Sequence, residues 1–204
     1  MKEINKKPDR RILRSKSALR EALLGLMSQK PFTSISITEI VEQANYNRGT
    51  FYSNYESKEA LLDDVISELI GRLLQSYRAP YESAEVFRIS EMAANSVMIF
   101  QHVFENAKIY AILMKSDVLP VLREKMFIAL KQISQEELVH PEHDIDQELL
   151  AIYSIHALLG LVFYWVESGF KHPTSYMQEQ LIKLIRWRPS DARTVVVKRA
   201  EDLR

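Results

Sequence analysis

The sequence predicts an all-α protein of about nine helices, and three observations carry that prediction. Apolar residues recur at helical spacing along most of the chain, and no stretch before residue 188 alternates with period two. Six prolines (Pro31, Pro80, Pro120, Pro141, Pro173 and Pro189) fall between those stretches, where helices start or stop. Five glycines in 204 residues are too few for the turns of an all-β fold or for a Gly-rich phosphate loop.

The first helix is expected over about Asp9 to Gln29, with Leu19, Ala22, Leu23, Leu26 and Met27 on one face. Ile37, Ile40, Val41 and Ala44 make the stripe of a short second helix, and Ser36 with Glu39 is a capping box at its start. Asn45-Tyr46-Asn47 is a turn without glycine. Asn45 tolerates the left-handed conformation that ends a helix, and Asn47 can cap the next one. That next segment, Arg48 to Asn54, is polar except for Phe51, so something else must hold it in place. Ser57 caps a long helix whose apolar face runs from Leu61 through Leu74. Further helices are expected over about 84–106, 107–116, 118–138, 144–170 and 173–187. Residues 188–204 change character, and the β-prone run Thr194 to Val197 leaves the tail open as strand, disordered segment or artefact.

A net charge of zero hides an asymmetry. Residues 1–58 carry 11 basic and 6 acidic side chains, whereas 59–204 carry 16 and 21. A basic block beside an acidic body suits a polyanion at one end of the molecule, although a solvated helix face with a basic tail gives the same count. The absence of Cys excludes a disulfide scaffold, a Cys-based zinc site and a thiol nucleophile. The basic N-terminus has no apolar core segment, so no secretory signal is expected and the cytoplasm is the expected compartment. No paired carboxylates, activated Ser or metal cluster stands out, so neither an enzyme nor a cofactor is expected. His140, His143 and Asp144 have a spacing that suits a metal, but Pro141 and their loop setting favour a solvated turn.

Two short helices joined by a three-residue turn form a helix-turn-helix pattern. Its outward Arg, Thr, Tyr, Ser and Asn side chains have the chemistry to read duplex DNA: Arg forks onto guanine, Asn onto adenine, and hydroxyls donate to phosphate. Gly49 has no side chain to hold the backbone off. The string from Ile37 to Leu61, above all Arg48-Gly49-Thr50-Phe51-Tyr52 followed by Tyr55-Glu56-Ser57-Lys58-Glu59, closely resembles the DNA-binding domain of the TetR family of bacterial regulators. The resemblance implies a homodimer with an N-terminal three-helix DNA-binding domain (residues 9–56) and a C-terminal helical domain for effector binding and dimerisation (57–187). It implies DNA contacts by Thr38, Arg48, Gly49, Thr50, Tyr52, Asn54 and Lys58, and the polar chemistry of the segment adds Asn47 and Ser53 as candidate contacts. Asn45 stands where the family has Gly, Asn47 where it has Ser or Thr, and Tyr46 where it has a small aliphatic residue. Tyr46 is left between the core and the DNA.

Leu149 to Val166 is almost continuously apolar, yet His156 at its middle and the flanking acidic residues argue against a membrane span. A helix apolar all round must be covered on every side, which favours a second copy of the chain as partner. Tyr153 to Phe170, packed with Met177 to Ile185, resembles the family's dimerisation helices. Candidate pocket residues are Phe100, Phe104, Tyr110, Met114, Tyr153, His156 and Trp165, with plain core packing as the competing reading. The function expected from the resemblance is a repressor that binds a pseudo-palindromic operator as a dimer and is released by a small hydrophobic effector. The alternative is control by a protein docking on the C-terminal domain.

Overall fold

The computed structural model describes residues 10–82, 88, 91–138 and 145–187. Among them are nine α-helices and no strand: α1 (Arg10–Met27), α2 (Ile37–Gln43), α3 (Arg48–Tyr52), α4 (Lys58–Arg78), α5 (Ile99–Glu105), α6 (Ala107–Lys115), α7 (Leu119–Glu137), α8 (Gln147–Glu167) and α9 (Thr174–Arg186). The expected all-α class stands. The tail from 188 and the His140/His143/Asp144 group lie outside the described residues.

The caps written in the sequence set the helix starts. Ser36 and Glu39 form the reciprocal capping box of α2, the Asn47 side chain accepts from Thr50 N in α3, and Ser57 accepts from Ala60 N in α4. Asn45 ends α2 in the left-handed region at φ 56°. The helix expected over 84–106 is shorter among the described residues. Only Ile99–Glu105 is α-helical, preceded by a 3-10 turn at Ala94–Ser96. The Ser96 hydroxyl donates to the Ala93 carbonyl there, the local side-chain competition that disfavours a continuous helix. Likewise α8 starts at Gln147, capped by Asp146, and stops at Glu167, before Gly169 and Phe170 turn left-handed.

Helix α4 is the spine. Its buried face, Leu61, Leu62, Val65, Ile66, Leu69, Ile70 and Leu73, packs on α1 at one end and on α5 and α7 at the other. One hydrophobic core therefore runs from Leu19 through α4 to Trp165 and Ile182. Trp165, wholly buried, donates its indole N–H to the His172 carbonyl at 2.8 Å and meets Phe100 edge-on.

Candidate nucleic-acid interface

A five-residue helix cannot stabilise itself, so α3 must be held by its surroundings. Phe51, with no exposed surface, anchors it to the core. Burying such a side chain is worth about 1.5–3 kcal/mol, which offsets part of the cost of ordering a short helix; the caps and contacts around it must supply the rest. Asn47 Oδ1 accepts from Thr50 N at 2.8 Å and from Thr50 Oγ1 at 3.2 Å, and Ser53 Oγ donates to the Gly49 carbonyl. With Phe51 inward, Arg48, Gly49, Tyr52 and Ser53 are left exposed and Thr50 half-buried, while Thr38 is exposed on α2.

The N-terminal end of α1 lies beside this surface. Arg10, Arg11 and Arg14 are exposed, and a cleft of about 390 Å³ is lined by Arg11 and Ser15 of α1, Asn45, Tyr46 and Asn47 of the turn, and Thr50 of α3. Tyr46, open between two readings in the sequence, is exposed in that cleft. Arg11 and Ser15 bring α1 to this cleft, which the sequence did not show, because helical periodicity places them on α1 without saying which neighbour α1 runs beside.

Two expected DNA contacts face elsewhere. Asn54 is half-buried and turned onto α1: its Nδ2 donates to Ser15 Oγ at 3.2 Å and to the Thr50 carbonyl at 2.7 Å. It ties α3 to α1. Lys58 gives its ammonium protons to the carbonyls of Phe32 (3.0 Å), Thr33 (3.1 Å) and Ile35 (2.7 Å), and lies 4.7 Å from the centre of the Phe32 ring. Three acceptors match three ammonium donors, so its bonds are spent on the loop before α2.

Behind the surface, α1 and α4 are joined by charge. Arg20 donates from Nε and Nη2 to Asp64 Oδ2 at 2.9 and 2.7 Å and pairs with Glu68, while the Tyr55 hydroxyl reaches Asp64 Oδ2 at 2.5 Å. Burial pushes the Asp64 carboxyl up, but the Tyr55 hydrogen bond and the Arg20 guanidinium outweigh it and hold it below the ordinary carboxylate range. The Glu39 carboxyl is drawn down to about 2 by its Lys30 hydrogen bond and by the Ser36 N–H and hydroxyl it accepts.

The seven candidate pocket residues do not gather around one space. Phe100, Tyr110, Met114 and Trp165 are core residues. Phe104 is exposed and stacks on Trp165, while Tyr153 is 75% exposed. His156 is exposed with its ring against Phe127. The reason is helical phase: Tyr153 and His156 lie on the outward side of α8, whereas Ile155, Leu158 and Leu159 turn inward.

The comparisons with known proteins agree with this arrangement. The description "Bacterial regulatory proteins, tetR family" matches residues 15–65, and "Transcriptional regulator C-terminal region", of the same family, matches 91–186. The chain is 27% identical over 187 residues to YxbF of Bacillus subtilis, an "HTH-type transcriptional regulator" by name; the match takes in 90% of this chain and 48% of that protein. The chain thus spans about half the length of this curated relative. A TetR transcriptional regulator from Streptococcus agalactiae shares the fold at TM-score 0.59 and 23% identity, over 87% of this chain and 96% of the other. The fatty acid degradation regulator FadR from Bacillus halodurans does so at 0.60 and 18%, over 84% and 94%. With its helix-turn-helix half and its C-terminal half both matched, the chain belongs to the TetR family of bacterial transcriptional regulators.

Proposed function

We propose that the protein binds a pseudo-palindromic DNA operator as a two-fold dimer in the cytoplasm, represses transcription there, and is released by a small hydrophobic effector. The observation that carries the DNA half is the cleft where Arg11, Tyr46, Asn47 and Thr50 meet beside the exposed side chains of α3. Thr38, Asn47, Arg48, Gly49, Thr50, Tyr52 and Ser53 are the proposed contacts, joined by Arg10, Arg11, Arg14 and Tyr46. Arg48 is the base reader, since a guanidinium forks onto guanine, and the α1 arginines hold phosphates. Asn54 and Lys58 support the reading surface from behind.

The dimer is supported by α8. Leu149, Tyr153, Ala157, Gly160 and Tyr164 are all exposed and recur along one side of the helix, an apolar stripe that water leaves uncovered at a cost. Tyr176 and Leu184 of α9, with Trp187 just beyond it, are further exposed apolar residues. Two copies pairing there would set their recognition helices about 34–36 Å apart, one turn of B-DNA. The domain division at residues 56 and 57 follows the same reading, with α4 beginning just beyond it and crossing into the C-terminal body.

The test is selection of bound duplexes from a random pool. A palindromic consensus, bound with an affinity that falls steeply with salt, supports the reading, and the absence of any enriched sequence sinks it. Arg48→Ala should relax one position of that consensus by about 1–3 kcal/mol. A thermal-shift panel of long-chain carboxylic acids and other hydrophobic compounds addresses the effector.

A further inference from the structure

The loop between α1 and α2 is held from two sides by residues far away in sequence. Its 3-10 turn, Phe32–Ser34, leads directly into the capping box of α2. Lys58 takes the turn's carbonyls. On the other side Asp117, between α6 and α7, takes its donors: Oδ1 accepts from Phe32 N at 2.7 Å, and Oδ2 accepts from Thr33 N at 3.0 Å and Thr33 Oγ1 at 2.8 Å. One carboxylate from the C-terminal body thus receives three hydrogen bonds from the helix-turn-helix domain, and Phe32 beneath it is buried in the shared core. Among the described residues no ion pair competes for the Asp117 carboxylate.

We propose that Asp117 is a positioning residue for DNA binding: its three hydrogen bonds to Phe32 and Thr33 fix the orientation of the helix-turn-helix domain on the C-terminal body, and so set the distance between the two recognition helices. A carboxylate with two donors on adjacent backbone nitrogens and a third on a side chain fixes direction as well as distance, which apolar contact between α1 and α6 does not. The strap acts at the loop entering α2, one element away from the reading helix. A small rotation there is carried rigidly to Arg48. A single recognition surface is indifferent to that rotation, whereas two copies reading one duplex are sensitive to it. The inference therefore rests on the dimer reading.

The experiment uses the full chain, the palindrome recovered by wild-type selection, the same palindrome lengthened by one base pair between half-sites, and a duplex bearing one half-site. For wild type, lengthening should cost about tenfold or more in affinity, the scale of one wrong base contact. Asp117→Ala should flatten that discrimination to about threefold or less while binding the half-site as wild type does. Asp117→Asn, which keeps an acceptor oxygen and loses the charge, should fall between. Thr33→Val should produce part of the same change and add little to Asp117→Ala, since both remove one interaction. Unchanged spacing discrimination in Asp117→Ala overturns the proposal. So does an equal loss on half-site and palindrome, which would mean local damage to the reading domain. Sedimentation of the wild type separates the premise from the inference: a single-chain species sinks the dimer, and the strap with it, whereas a dimer with unaltered discrimination sinks the strap alone.

Discussion

The Arg20 guanidinium closes on one oxygen of Asp64 with two nitrogens, at 2.7 and 2.9 Å, and thereby fastens α1 to α4 across 44 residues of sequence. The same oxygen accepts the Tyr55 hydroxyl, so one carboxylate on α4 ties together α1, α4 and the turn that follows α3. Its folded-state pKa is lowered, so the contribution to stability is present above the unfolded value, near 3.8, and is lost as pH falls through the folded value. Asp64→Asn should cost about 1 kcal/mol at neutral pH, discounted for partial exposure, and should weaken the acid dependence of unfolding below pH ~4. Urea titrations at pH 7 and pH 3 check it; equal losses at both would contradict the assignment.

His102 provides a second acid-sensitive element. Its ring is buried, with Nε2 3.2 Å from the Tyr110 hydroxyl and Nδ1 3.3 Å from Asn106 Nδ2. Burial and then the charge of Arg72 draw its pKa from 6.5 down to about 4. A depressed histidine contributes stability above its unfolded pKa that disappears between pH 6.5 and about 4 as the folded protein resists protonation. The stability lost across that window should reach at most about 3 kcal/mol. His102→Gln should flatten the slope of unfolding free energy there. A slope identical to wild type would refute it.

Lys58 separates two mechanisms cleanly. As a clamp on the carbonyls of Phe32, Thr33 and Ile35, its replacement in Lys58→Met should lower stability by about 1–2 kcal/mol and leave the salt slope of DNA binding unchanged. A phosphate contact would instead reduce that slope by about one. Salt titrations of operator affinity on both proteins decide.

Removal of the α3 cap tests how the reading helix is held. Asn47→Ala should lose about 1 kcal/mol of stability and more of DNA affinity, because it takes away both the cap and a proposed contact. Asn47→Asp should keep the cap while placing a negative charge near phosphate, so stability returns and affinity does not. Recovery of both by Asp would remove Asn47 from the interface.

The exposed stripe of α8 predicts the assembly. A double charge substitution, Leu149→Arg with Tyr153→Arg, should convert a dimer to single chains in sedimentation. Affinity for a palindrome should drop about a hundredfold or more, as the two half-sites cease to be read together. A wild type that sediments as one chain would remove the prediction's basis.

Local chemistry was the legible part of this fold. Ser36 with Glu39, Asn45, Asn47 and Ser57 name helix ends by chemistry confined to a few residues, and each end stands where that chemistry puts it. What involved distant partners was not legible. Asn54 and Lys58 are polar residues beside a reading helix, and sequence alone points them outward; Ser15 and the Phe32–Ile35 carbonyls, which claim them, enter only through the tertiary fold. Asp117 carries no local signal in the sequence, because the donors it accepts from are 84 and 85 residues away. The candidate pocket residues were not sorted by side in the sequence either: aromatic composition picks out Tyr153 as readily as Trp165, and only packing tells the outward side of α8 from the inward one.

Asn45 holds a backbone angle, φ 56°, that glycine would take freely. Glycine there would relax the bend but loosen the unfolded chain, and two opposing effects of about 1 kcal/mol leave little net preference. The corner is therefore thermodynamically indifferent to having a side chain, and the amide it carries lines the cleft beside Arg11. A side chain at this bend therefore reaches the cleft wall at little cost to the fold.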